Sequence, residues 1–157
     1  MVPISRLTVI AATVVLIDQW SKQYIQGHML PGMSIPVLDG IFHITYVLNP
    51  GAAFGILENQ RMLFIAIALV MLGLTAYFLK HIPEPFRLMR LGLSLLAGGA
   101  IGNVIDRVQT GHVVDFFDFR IWPVFNVADI AIVTGVGCVI YTLVFSTFPT
   151  GNQENQR

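Results

Sequence analysis

Long apolar segments alternate with short polar clusters along this chain. Four segments of about 20 residues cover roughly 7–26, 62–80, 88–106 and 125–146. An α-helix needs about 20 residues to cross a hydrocarbon layer about 30 Å thick. The pattern therefore predicts an all-α membrane protein, with four helices in a transmembrane bundle.

The pattern changes between the first two helices. Residues 27–61 contain two runs rich in β-branched and aromatic residues, separated by Asp39-Gly40, a dipeptide typical of a hairpin turn. We expect a small β-sheet lying at the membrane interface, with a plain connecting loop as the alternative. Residues 150–157 form a polar tail, so residues 1–157 are expected to be a single integral membrane domain.

Composition supports a membrane protein. Hydrophobic residues make up 55% of the chain, charged residues only 11%, and the mean hydropathy is +0.71. A soluble domain has about 25% charged residues. The formal net charge of zero argues against nucleic-acid binding. The first apolar run continues into a polar helical stretch without a small-x-small cleavage site, so we interpret it as a retained helix.

The lone cysteine and the histidines offer little chemistry. Cys138 lies deep in the last apolar segment, excludes an intrachain disulfide and is interpreted as core filler. The four histidines do not have the spacing of metal ligands, so neither a metal nor a cofactor is expected.

The basic residues predict the orientation. Five of them fall on one side of the four segments, namely Arg6, Lys80, Arg87, Arg90 and Arg157, and four on the other, namely Lys22, Arg61, Arg107 and Arg120. The positive-inside rule then predicts that both termini are cytoplasmic. With four helices, every polar cluster falls at the outer ends, which predicts one site near the outer face.

Aspartates flank the apolar segments, and a carboxylate at bilayer depth costs a few kcal/mol unless it is paired or hydrated. They are Asp18, Asp106, Asp115, Asp118 and Asp129. Two facing carboxylates share a proton, and such a pair can activate water against a peptide carbonyl. Asp129 is expected in the first turn of the last helix, where the helix dipole favours its ionised form. Spacing alone leaves Asp115 and Asp118 as competing partners.

Further polar residues lie beside these aspartates. Asp18 and Lys22 are spaced i, i+4 and can pair, either to fix packing or to support chemistry. Asn49-Pro50-Gly51 is a turn in which the asparagine can hold a peptide carbonyl or merely shape the loop.

The segment from Gly98 to Arg107 combines small and polar residues. Gly98 and Gly102 form a small-xxx-small face for helix packing. A phosphate-binding loop is rejected because the Gly-Lys-Ser/Thr ending is lacking. Asn103 and Asp106 share one helix face. Arg107 can bind a carboxylate or lipid phosphate, or serve structure alone.

The ordered motifs together resemble the lipoprotein signal peptidases (signal peptidase II) of bacterial inner membranes. They are Asp18-Gln19-x-x-Lys22, Asn49-x-Gly51-Ala52-Ala53-Phe54, Gly98-Gly99-Ala100-x-Gly102-Asn103-x-x-Asp106-Arg107, Val113-Val114-Asp115-Phe116 and Phe125-Asn126-x-Ala128-Asp129. The resemblance covers nearly the whole chain. It implies a four-helix intramembrane aspartic endopeptidase that cuts diacylglyceryl-modified prolipoproteins before the lipidated cysteine.

The resemblance also assigns roles. By motif position the catalytic pair would be Asp115 and Asp129. Substrate-binding or supporting residues would be Asp18, Lys22, Asn49, Gly51, Asn103, Asp106, Arg107 and Asn126. It further implies an interfacial helix in 27–61 and sensitivity to globomycin-type inhibitors. We also expect contact with membrane lipid and a monomeric protein.

A small proton-coupled transporter is the alternative from another functional class. Transporter sites belong near the bilayer midplane and often lie on repeated halves. Here the polar groups are expected at one face, and the two halves do not match.

Overall fold

In the computed structural model, residues 4–51, 60–83 and 85–145 are described. The helices are α1 (Ile4–His28), α2 (Arg61–His81), α3 (Arg87–Gln109) and α4 (Val127–Phe145). The strands are β1 (Ser34–Leu38), β2 (Phe42–Asn49) and β3 (Val113–Asp118). Two predicted features lie outside the described residues. They are the polar tail and residues 52–59, which belong to the segment expected to hold an interfacial helix.

Three of the described helices are long and apolar enough to cross a membrane, namely α2, α3 and α4. Large apolar side chains cover their outer surfaces, as at Val70 on α2 and Val133 on α4, which are 63% and 72% exposed. The first helix is not among these three, and its C-terminal half carries Asp18, Gln19 and Lys22. Asp18 and Lys22 point inward, because both are buried.

Helix α3 lies at the centre and contacts each of the other three helices. Glycines make this possible by letting backbones approach closely. A Cβ added at Gly92 would lie 2.6 Å from the carbonyl oxygen of Gly135 on α4, and one at Gly98 would lie 2.7 Å from that of Ala11 on α1. The close contacts bring the C-terminal ends of α1 and α3 to the N-terminal end of α4.

A three-stranded antiparallel sheet, in the order β1-β2-β3, adjoins that end of the helices. The expected hairpin is confirmed: β1 pairs with β2, and Gly40 in the turn has φ +69°. The third strand was not predicted. The sheet packs on the end of α1 through a cluster of buried side chains, namely Ile25, Met29, Tyr46, Val114 and Phe116.

The sheet register matters for the polar residues. Val47 pairs with Asp115 and Asn49 pairs with Val113, so the end of β2 lies beside the start of β3. Helix boundaries differ from the expected ones by a few residues: α1 continues to His28, α3 continues to Gln109, and α4 begins at Val127. The later start of α4 follows from Asn126, whose side chain caps the helix.

Candidate active site

Four elements bring their polar side chains together where α1 and α3 end and α4 begins. Asp115 lies on β3, Asp129 in the first turn of α4, and Asn103 on α3. Asn49 is the last residue of β2 and Asn126 immediately precedes α4. Three amides and two carboxyl groups therefore converge from positions up to 80 residues apart in the chain.

Asp115 is almost completely buried, with 2% of its surface exposed. Asn49 Nδ2 donates to its Oδ2 at 2.9 Å and Asn126 Nδ2 donates to its Oδ1 at 2.7 Å. Burial, and next the negative charge of Asp129, raise the pKa of Asp115 to about 7, although the two amides and Lys22 oppose the shift. Near neutral pH this carboxyl group therefore holds a proton in a large fraction of molecules.

Asp129 is half-buried and also receives two hydrogen bonds. Asn103 Nδ2 donates to its Oδ1 at 2.8 Å, and the backbone N–H of Asn126 donates to its Oδ2 at 3.1 Å. In return, Asn126 Oδ1 accepts from the backbone N–H of Asp129 at 3.0 Å. This reciprocal arrangement is a capping box, which ties the carboxylate to the start of α4.

A groove of about 350 Å³ opens beside Asp129. Its other lining residues are Trp122, Phe125, Ile130, Val133 and Thr134. The groove thus combines a single carboxylate with mainly apolar walls, a common composition for sites that bind apolar ligands or peptides.

A buried ion cluster lies next to the two aspartates. The ammonium group of Lys22 is 2.8 Å from Asp18 Oδ2 and 2.9 Å from Asp106 Oδ2. The backbone N–H of Ala128 donates to Asp18 Oδ1 at 2.9 Å, and that of Val114 donates to Asp106 Oδ2 at 3.1 Å. The expected Asp18–Lys22 pair is therefore part of a cluster that joins α1, α3, β3 and α4.

Gln19 also belongs to this cluster, although no role was predicted for it. Its Nε2 donates to Asp106 Oδ1 at 2.8 Å, and it lies 3.2 Å from both Asp18 Oδ2 and the carbonyl oxygen of Gly102. The available signal was an amide next to Asp18, where the apolar run of α1 ends.

Arg107 contacts backbone rather than a carboxylate among the described residues. Its Nη2 donates to the carbonyl oxygen of Gly51 at 3.0 Å, and its guanidinium lies 4.7 Å from the ring centre of Phe64. The N–H of Gly51 donates to Asn49 Oδ1 at 2.9 Å. Arg107 therefore holds the turn that orients the Asn49 amide toward Asp115.

Asp118 lies in a separate set of contacts. Thr45 Oγ1 donates to its Oδ2 at 2.7 Å, and the backbone N–H of Arg120 donates to its Oδ1 at 2.8 Å. The guanidinium of Arg120 is 2.9 Å from Oδ2. Burial opposes ionisation of Asp118, but these hydrogen bonds and the arginine charge outweigh it and lower the pKa of Asp118. This carboxylate is used in holding β3 to β2.

Comparisons with known proteins agree over most of the chain. The family model described as "Signal peptidase (SPase) II" matches residues 10–145. The chain is 45% identical to the lipoprotein signal peptidase of Moorella thermoacetica over 147 residues, which is 94% of this chain and 96% of that protein. It is 44% identical to the one from Clostridioides difficile over 138 residues, covering 83% and 90% of the two chains.

Solved structures are similar too. One is described as a bacterial membrane enzyme determined by the in meso method at 2.3 Å resolution; it has a TM-score of 0.84 and 37% identity, and the match covers 98% of this chain and 94% of the other. A second, at 1.9 Å resolution, has a TM-score of 0.81 and 39% identity, with 92% and 96% coverage.

Proposed function

Since this chain belongs to the signal peptidase II family, we propose that it removes signal peptides from diacylglyceryl-modified prolipoproteins by an aspartic mechanism. Membership makes the chain a protease of a bacterial membrane. The aspartic type, the cut before the lipidated cysteine and the residue roles belong to the proposal. The observation that carries it is the convergence of Asp115 with Asp129, which lines a mainly apolar groove.

The two aspartates take different roles in this mechanism. Asp115 is buried and has a pKa near 7, so it supplies the proton that hydrogen-bonds to the scissile carbonyl oxygen. Asp129 faces the groove and, in its ionised form, takes a proton from the attacking water. Transfer of the Asp115 proton to the carbonyl oxygen as water adds gives a neutral tetrahedral diol. Its C–N bond then breaks as Asp129 gives its proton to the leaving nitrogen, and Asp115 regains a proton from a diol hydroxyl as the new carboxylic acid forms.

Asp115 is the better partner for Asp129 than Asp118. The charge of Asp129 acts directly on the Asp115 carboxyl group, and Asn126 contacts both residues. The oxygens of Asp118 are occupied by Thr45 and Arg120. An aspartate with a lowered pKa that is held by an arginine is poorly suited to carry a shared proton.

The remaining site residues position the pair and the substrate. Asn49, Asn103 and Asn126 hold the carboxyl groups, and Arg107 with Gly51 fixes the turn at the end of β2. The ion cluster adjoins these residues and supports them; it consists of Asp18, Lys22 and Asp106. Globomycin-type inhibitors would occupy the same site.

We further propose that all four helices cross the membrane in one domain, with both termini cytoplasmic and the aspartates near the outer face. A signal peptide is itself a membrane helix, and its lipidated cysteine lies at the outer surface. The site therefore belongs at that level. The protein would act as a monomer in contact with membrane lipid.

The test is cleavage in detergent. The purified chain is incubated with a diacylglyceryl prolipoprotein and with the same precursor lacking lipid, and products are identified by mass spectrometry. We expect a single cut before the lipidated cysteine. Equal cleavage of the unlipidated precursor would refute the lipid requirement, and no cleavage by folded protein would refute the peptidase. The transporter alternative is not favoured, and it requires a sealed compartment that detergent removes.

A further inference from the structure

We propose that Lys22 is a positioning residue for the aspartate pair, because its ammonium group fixes the orientation of the Asn103 amide that donates to Asp129. The inference rests on the proposed function and extends it to a residue that does not touch the carboxyl groups of the pair.

The ammonium group of Lys22 has no freedom in this structure. It carries three N–H donors and no acceptor. Three oxygens surround it: Asp18 Oδ2 at 2.8 Å, Asp106 Oδ2 at 2.9 Å and Asn103 Oδ1 at 3.0 Å. Lys22 is 2% exposed, so water does not compete for these positions. Each donor is matched by one acceptor.

The orientation of Asn103 follows from this contact. Because lysine only donates, the atom of Asn103 that faces it has to be the oxygen. Asn126 Nδ2 donates to the same oxygen at 3.2 Å. The amide nitrogen of Asn103 is then left for Asp129, to which it donates at 2.8 Å. The charged donor on α1, which makes the shorter of the two contacts with Asn103 Oδ1, thus favours the orientation in which α3 presents an N–H to α4.

Without the ammonium group, the longer contact from Asn126 Nδ2 is the remaining hydrogen bond that holds Asn103 Oδ1 in place, so the barrier to a half-turn of the Asn103 amide falls. Its oxygen would then face Asp129 Oδ1, and two acceptors would oppose each other unless the carboxyl group took up a proton. An Asp129 that holds a proton cannot accept one from water. Loss of Lys22 should therefore lower turnover without changing the groove that contacts the substrate.

Lys22 also acts on Asp115 through its charge. The charged groups that face Asp115 are Asp129 on α4, Arg107 on α3 and Lys22 on α1. The lysine lowers the pKa of Asp115, so removing its charge raises that pKa further. Because Asp115 works in its protonated form, the alkaline limb of the kcat profile should then move to higher pH.

The experiment compares two variants that differ at one position. Asp106→Asn is the reference, and the double variant Lys22→Met/Asp106→Asn removes one charge of each sign, which avoids leaving two unpaired carboxylates around the cavity. We expect kcat to fall about tenfold to a hundredfold in the double variant relative to the reference, as displaced catalytic groups do. KM should change little, and the alkaline limb of the kcat profile should move to higher pH.

A third variant and a spectroscopic readout separate positioning from stability. Lys22→Gln/Asp106→Asn keeps a neutral N–H donor at this position and should recover part of kcat. The side-chain amide resonance of Asn103, followed by NMR in micelles, should move between the reference and the methionine variant. Melting temperatures identify any variant that fails to fold.

An unchanged Asn103 resonance would overturn the inference, whether or not the chain is active. The inference would also be overturned if the methionine variant had the same kcat and pH profile as the reference, including the case in which its melting temperature alone is lower. Failure of the wild type to cut any lipidated precursor would instead refute the proposed function. The Asn103 resonance would still test whether Lys22 orients the Asn103 amide, because this readout does not depend on activity.

Discussion

Three asparagine side chains donate hydrogen bonds to the two carboxyl groups of the candidate site. The orientation of each asparagine amide is fixed by a donor that binds its side-chain oxygen. A backbone N–H occupies Oδ1 of Asn49 and of Asn126, and the Lys22 ammonium occupies Oδ1 of Asn103. Each of the three amide nitrogens therefore donates to Asp115 or Asp129, and that of Asn126 also donates to Asn103 Oδ1. Burial, the largest effect, opposes the charge on Asp115, whereas the amide donors of Asn49 and Asn126 favour its charged form.

Asp115→Asn should make the stability of the protein less sensitive to pH. The pKa of Asp115 rises from 3.8 to about 7 in the folded chain, so its contribution to stability is complete below pH 3.8 and is lost as pH rises through about 7. The variant cannot ionise there. Its melting temperature relative to wild type should be higher at pH 8 than at pH 5; an equal difference at both values would contradict the buried, proton-holding carboxyl group.

Asn126 has two separable roles, as helix cap and as donor to Asp115. Asn126→Ser retains a cap that serine can supply but loses the donor to Asp115 Oδ1. Asn126→Ala loses both. We expect kcat to fall in both variants, with the alanine variant less stable than the serine variant by about 1 kcal/mol. Thermal melts and kcat measure the two effects, and a serine variant with wild-type kcat would argue against the donor role.

Among the elements, those defined by local pattern were predicted and those defined by distant contacts were not. The helices follow apolar runs, and the β1–β2 hairpin follows Asp39-Gly40. Strand β3 was missed because two aspartates interrupt its alternation and its partner strand is far away in the chain. Gln19 was missed for the same reason, since Asp106 is 87 residues away.

The site residues divide in the same way. The converging carboxylates could be expected from their positions at the ends of apolar segments. The choice between Asp115 and Asp118 could not, because it depends on which of them meets Asn126 and which meets Thr45 and Arg120. Those partners lie on other elements. The family resemblance supplied an expectation that spacing alone did not.

The contact between α3 and α4 depends on glycine at the crossing point. A Cβ at Gly92 would lie 2.6 Å from the Gly135 carbonyl oxygen, whereas one at Gly137 has nothing within 4 Å. Gly92→Ala should therefore destabilise the protein by about 1–3 kcal/mol through overpacking. Gly137→Ala, as the matched control on the neighbouring helix, should stabilise it by up to about 1 kcal/mol. Thermal unfolding in one detergent compares them, and equal shifts would contradict the close crossing.

At the scale of the whole molecule, the polar network lies at one end of the helices. The C-terminal ends of α1 and α3, the N-terminal end of α4 and the sheet meet there. A protease that cuts at the surface of a membrane needs its carboxyl groups at that level rather than at the midplane. The position of the network is therefore consistent with the proposed substrate.

Topology can be tested with single cysteines. In a Cys138→Ser background, Asp39→Cys lies in the exposed hairpin turn and Arg87→Cys at the exposed start of α3. A membrane-impermeant maleimide added to intact spheroplasts should label the first and not the second, while both should react after lysis. Labelling of Arg87→Cys alone would reverse the orientation, and labelling of both in intact spheroplasts would exclude the proposed arrangement.

The central claim, that Asp115 and Asp129 form the catalytic pair, is tested most directly by cleavage of a diacylglyceryl prolipoprotein in detergent. Wild type is compared with Asp115→Asn, Asp129→Asn and Asp118→Asn, after each is confirmed to be folded. The first two substitutions should lower kcat by at least about a hundredfold, since each removes a group that transfers protons, while Asp118→Asn should still cut. Cleavage retained by either of the first two, or lost only in Asp118→Asn, would contradict the assignment.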